Sequence, residues 1–147
     1  MIIWHLAKRF IGSLTAAPLN PEEELLVESV LSSEEELLFR RLSKADARHA
    51  VTVLRRFDSA VPQAPLAARR AALLHDIGKV DADIGTFLRV AATIVGSHGQ
   101  RFRAYHSHEK RGIELLRGVG CDPSTLAYLR GEGDAHIVAA LRNADEI

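Results

Sequence analysis

The sequence predicts an all-α fold, and three observations carry that expectation. Helix start signals recur along the chain, apolar residues return at helical spacing after each one, and no stretch alternates as a half-buried strand would. Asn20-Pro21-Glu22-Glu23-Glu24 joins a capping side chain, a first-turn proline and acids suited to the positive end of the helix dipole. Leu25, Leu26, Val30 and Leu31 form its expected apolar stripe. Ser32-Ser33 followed by Glu34, Glu35 and Glu36 repeats the signal, with Leu37, Leu38, Phe39 and Leu42 expected inside.

Ser43 caps the next predicted helix, with Asp46 in its first turn and His49, Val53 and Phe57 on one face. Pro62 and Pro65 break the chain. A helix from about Pro65 runs to His75, and Gly78 is expected to end it as a C-terminal glycine. Asp81 to Val95 is read as the next helix, and Gly96 to Tyr105 as a polar loop. Ser107 to Leu116 is helical again, closed by Gly118 and Gly120. Asp122-Pro123-Ser124 restarts a helix through Leu129 and Arg130; Gly131 to Asp134 is a break. Ala135 to Ile147 is the last helix, presenting Ile137, Val138, Leu141 and Ala144 on one face.

Composition narrows the class. The chain has 147 residues, about one domain, with 47% hydrophobic and 26% charged residues, as in ordinary globular proteins. Nineteen basic residues balance nineteen acidic ones, which counts against a dedicated nucleic-acid binder. The one cysteine, Cys121, has no internal partner and is expected to be a small buried residue, so a reducing, cytoplasmic setting fits. Met1 to Leu14 has amphipathic helical spacing, interrupted by His5, Lys8 and Arg9, and resembles neither a signal peptide nor a spanning helix. No membrane association is expected.

The chemistry concentrates at Leu73-Leu74-His75-Asp76-Ile77-Gly78-Lys79. Apolar residues lead into a His-Asp pair, and burying such a pair is expensive unless its charge is compensated. A divalent cation compensates it, and Lys79 three residues on suits a phosphate. His49 alone reads as a hydrogen-bonded core histidine, and Asp145 alone as a solvated acid. Together with His75 and Asp76 they make two imidazoles and two carboxylates from three helices. That set suits a six-coordinate Mn, Fe, Co, Ni or Mg ion better than a closed zinc site.

In order and spacing, His49 … His75-Asp76 … Asp145 is similar to the HD superfamily of metal-dependent phosphohydrolases. Leu73 to Lys79 resembles its HDIGK form, and Asp46 to Val53 its first-histidine helix. His108-Glu109-Lys110-Arg111-Gly112 resembles the His-x-x-x-Gly helix that follows, and Asn143-Ala144-Asp145 the final-aspartate helix. The resemblance implies an HD domain over 43–147, with 1–42 as a helical extension packed on it and a homodimer contact there. It implies a metal on His49, His75, Asp76 and Asp145 at the centre of the bundle. Asp76, Lys79 and His108 would act in catalysis, and Lys79, His108 and Arg111 would bind substrate. His98 and His106 compete with His108. The region Tyr128 to Asp134 lacks the further histidines of two-metal members, so a single metal, or one with weak occupancy of a second site, is expected. The implied reaction is hydrolysis of a small, nucleotide-like phosphomonoester or phosphodiester by metal-activated water. The alternative is a regulatory or scaffold module with a structural metal.

Overall fold

The computed structural model describes residues 16–80 and 98–146, and of residues 98–107 the backbone alone. Among them the chain is all-helical, with no strand: α1 (Pro21–Val30), α2 (Ser33–Phe39), α3 (Lys44–Ala60), α4 (Leu66–Leu74), a 3-10 turn (Ile77–Lys79), α5 (His98–Gly118), α6 (Pro123–Leu129) and α7 (Ala135–Glu146). The expected fold class therefore holds. The helix expected over Asp81 to Val95, and the amphipathic segment Met1 to Leu14, lie outside the described residues. No described helix is long and apolar enough to cross a membrane.

The start signals work as the sequence implies, and two of them do more. Asn20 and Glu23 form a capping box, each side chain bonded to the other's backbone N–H at 2.9 Å. Ser32 and Glu35 form a second box, at 2.9 and 3.2 Å. Both glutamates are also buried. Arg48 and Arg55 each reach Glu23 at 3.5 Å, and Arg70 stands 3.6 Å from Glu35, so neither buried carboxylate is left without a cation. Ser43 caps α3 by accepting from Asp46 N at 3.1 Å, and Asp122 caps α6 by accepting from Ser124 N at 2.7 Å.

These glutamates correct the expected apolar stripes. Glu23, Val27, Val30 and Leu31 make the inward face of α1, so Leu25 turns outward at 66% exposure. On α2 the inward set is Glu35, Leu38 and Phe39, and Leu37 is 71% exposed. Hydropathy alone places each of these leucines inward, but the capping glutamate takes a core-facing position on each helix.

One core joins the elements. Val27, Val30, Leu38 and Phe39 from α1 and α2 share it with Val53, Leu54 and Phe57 of α3, Leu73 and Leu74 of α4, and Leu116, Leu126 and Ala144. α3 packs on α4 and α7, α4 on α6, and α5 lies along the 3-10 turn. Cys121 is buried as expected. Burial first, and then the nearby Glu35, push its thiol up to about 12, which keeps it protonated and unreactive near neutral pH.

Two boundaries differ from expectation. α5 begins at His98, so the stretch read as a polar loop from Gly96 contains helix from His98 onward. Docking on the 3-10 turn supplies support that local propensity does not. Gly78 does not end a helix in the left-handed conformation. The helix stops at Leu74, Gly78 sits inside the 3-10 turn, and the positive-φ glycines among the described residues are Gly120, Gly131 and Gly133.

Candidate metal centre

α4 ends where its cap residue His75 still has helical backbone angles, and Asp76 then turns at φ −103°, ψ 15° into the 3-10 turn. That change of direction lets two adjacent side chains face one point. His49 comes to the same point from α3, and Asp145 from the last turn of α7, because α3 packs on both α4 and α7. The nitrogen and oxygen atoms of His49, His75 and Asp76 fall within 4.8 Å of one another. Asp145 Oδ1 lies 2.9 Å from His49 Nε2 and 3.3 Å from His75 Nε2. His75 Nε2 is 3.4 Å from Asp76 Oδ2, and the two imidazoles meet edge-on with centroids 5.4 Å apart. Three of the four residues read from the sequence as a ligand set thus form one group among the described residues, and Asp145 stands beside its two histidines without being part of it.

The state of His75 decides what the cluster can hold. Its Nδ1 is 2.8 Å from the Ala72 carbonyl, which can only accept, so Nδ1 carries the hydrogen. Nε2 is therefore the nitrogen left to bind something. It is buried and makes no directed hydrogen bond, although two carboxylate oxygens flank it. A backbone carbonyl holding one imidazole nitrogen while the other faces carboxylates is the usual arrangement behind a metal-ligating histidine. Ala72 is the member of this set that sequence reading missed. Its signal was only positional, a carbonyl three residues back at a helix end.

Charge balance points the same way. Burial by itself pushes the His75 imidazole down, but contact with Asp145 and Asp76 outweighs it and holds the group at about 10. Burial pushes Asp76 up, and His75 and Lys79 more than reverse that, leaving it well below the usual carboxylate range. Hydrogen bonding to His49, then to His75, does the same for Asp145. The protein on its own therefore balances two carboxylates with an imidazolium and an ammonium. A divalent cation carries the charge that the imidazolium proton and the Lys79 ammonium supply together, and a metal on these groups would displace that proton.

No family model, curated protein or solved structure matches this chain. The site is therefore read from its own geometry. Asp145 has a side chain 45% exposed, so the cluster opens to solvent on its side. Lys79 Nζ rests on Asp76 Oδ2 at 2.9 Å. Arg111 Nη1 donates to the Gly78 carbonyl at 3.3 Å, which makes it a brace of the 3-10 turn. His108 lies on α5 beside that turn, and its imidazole is not part of the ligand group found among the described residues. The side chains of His98 and His106 lie outside the described residues. Arg56, not singled out from the sequence, donates from Nη1 to the Ala144 carbonyl at 3.2 Å and steadies α7 next to Asp145. Its position two turns after His49 on α3 was the available signal.

Gly78 is small because α5 comes too close for a side chain. A Cβ on Gly78 would stand 1.9 Å from the His108 carbonyl oxygen, while one on Gly112 would stand 3.1 Å from Gly78 N and Ile77 Cγ2. The first overlap is with backbone and cannot be relieved by a rotamer change. Gly78→Ala is expected to destabilise by about 1–3 kcal/mol or more, as overpacking does, and Gly112→Ala by less. Thermal unfolding of the two variants checks the order, and equal midpoints would refute it.

Proposed function

We propose that this chain is a metal-dependent phosphohydrolase of the HD type, with a single divalent ion held by His49, His75, Asp76 and Asp145. The observation that carries the reading is the buried Nε2 of His75, flanked by the oxygens of Asp76 and Asp145 at 3.4 and 3.3 Å. The mixed nitrogen and oxygen donors suit Mn, Fe, Co, Ni or Mg. Such an ion supplies Lewis-acid chemistry, lowering the pKa of a water and polarising a phosphoryl oxygen.

The chain's own groups do the rest. The Ala72 carbonyl fixes the tautomer of His75. Lys79, partly exposed beside Asp76, offers an ammonium to the phosphate. His108, on the helix that packs against the Lys79 turn, is the proposed proton donor to the leaving group. Arg111 acts through the turn it braces and contributes positive charge nearby. The substrate class is a small phosphorylated molecule, nucleotide-like, entering on the Asp145 side. A protonated, buried Cys121 suits a reducing cytoplasm.

The test is elemental analysis of the purified protein, followed by hydrolysis assays with added Mn, Co, Ni and Mg. Substrates are p-nitrophenyl phosphate, bis-p-nitrophenyl phosphate and a set of nucleoside monophosphates. The expected outcome is metal-dependent phosphate release, abolished by EDTA and by Asp145→Ala. Bound metal without hydrolysis of any of these esters would replace the enzyme by a module with a structural ion.

A further inference from the structure

Lys79 makes a contact that a purely phosphate-binding role does not account for. Its Nζ lies 2.9 Å from Asp76 Oδ2, and this is the oxygen that also faces His75 Nε2 at 3.4 Å. The oxygen best placed to ligate a cation beside His75 already holds an ammonium. Local backbone enforces the pairing: Lys79 N donates to Asp76 O at 2.9 Å, closing the tight turn that brings the side chains together. The Lys79 side chain is 33% exposed and that of Asp76 20%, so water screens the contact only in part.

A divalent ion and an ammonium on one carboxylate oxygen repel each other across a few ångströms, and partial burial strengthens that repulsion. We propose that Lys79 is a built-in competitor of the metal for Asp76 Oδ2, and that arrival of the metal frees its ammonium for phosphate. Metal then binds before phosphate, and the anion site is assembled by the cation. This rests on the cluster being a cation site, as argued above.

The consequence runs opposite to that of an ordinary helpful lysine. Removing the charge tightens metal binding while weakening phosphate binding. The experiment is calorimetric titration of the full chain with Mn²⁺, using the wild type, Lys79→Gln and Lys79→Met, with folding confirmed by circular dichroism. The methionine keeps the aliphatic stem should the glutamine variant fold poorly. The expected result is Mn²⁺ affinity raised at least fivefold in the neutral variants, with Lys79→Arg within about twofold of the wild type. Orthophosphate is expected to bind the Mn²⁺-loaded wild type and not the metal-free protein.

Unchanged or weaker Mn²⁺ affinity in both neutral variants overturns the competition and leaves the metal centre standing. Orthophosphate binding equally to metal-free and loaded protein overturns the order. Mn²⁺ binding by the neutral variants but not by the wild type supports the competition in its strongest form. Binding by none of them removes the metal centre and the competition together.

Discussion

His75→Ala is expected to remove divalent-metal binding from this protein while leaving its helices in place. His75 supplies the buried nitrogen that has no directed partner, and its ring is aimed by the Ala72 carbonyl. Losing even an outer partner of a ligand typically costs 10–100-fold in metal affinity, so loss of the ligand itself is expected to cost at least about a hundredfold. The fold has less to lose. His75 is the cap residue of α4, and the core residues Leu73 and Leu74 precede it. Deleting the ring also takes from Asp76 and Asp145 the imidazolium that both contact, and leaves Lys79 on Asp76 and His49 on Asp145. Calorimetry with Mn²⁺ beside far-ultraviolet circular dichroism makes the comparison. Wild-type affinity in a folded His75→Ala protein would end the case for this centre.

Phe57→Ala is expected to have the largest effect on stability. Phe57 is fully buried in α3 and belongs to the cluster that includes residues of α1, α2, α4, α6 and α7. Truncating a buried phenylalanine typically costs about 3–5 kcal/mol through lost transfer energy and the cavity left behind. At a few degrees per kcal/mol for a chain of this size, the unfolding midpoint should fall by about 10 °C or more. Phe57 lies eight residues beyond His49 on the same helix, about 12 Å along its axis. Metal affinity measured well below the midpoint should therefore stay close to wild type. A thermal scan with and without Mn²⁺ separates the two effects: a shift under about 3 °C would mean that the cavity closes by local collapse.

How much of this could be read from the chain alone varied by element. The caps at Asn20, Ser32, Ser43 and Asp122 were legible because capping is a local interaction, completed within three residues. The inward face of α7, with Val138 and Ala144 buried, was legible from its spacing. Leu25 and Leu37 were misplaced because the inward position on each short helix goes to a glutamate, and arginines distant in sequence make that burial tolerable. Gly78 was read as a helix terminator because glycine often is one. Its actual reason is the His108 carbonyl, thirty residues away along the chain.

At the site, the residue types and their order suggested that His49, His75, Asp76 and Asp145 belong together, and their convergence needed α3, α4 and α7 to pack. Arg111 and Lys79 were expected to turn toward substrate. In the structure Arg111 bonds the Gly78 carbonyl and Lys79 bonds Asp76, contacts that depend on turn geometry and on the approach of α5.

By itself, then, the sequence determined that the chain is helical, where most described helices begin, and which side chains are chemically able to hold a cation. Those properties follow from hydrogen bonds and periodicities that span a few residues. Only the tertiary structure decided which nitrogen of His75 faces the carboxylates, which oxygen of Asp76 Lys79 occupies, and why position 78 carries no side chain. Each of these is fixed by atoms brought close by packing or by a particular turn, and one-dimensional spacing does not encode such distances.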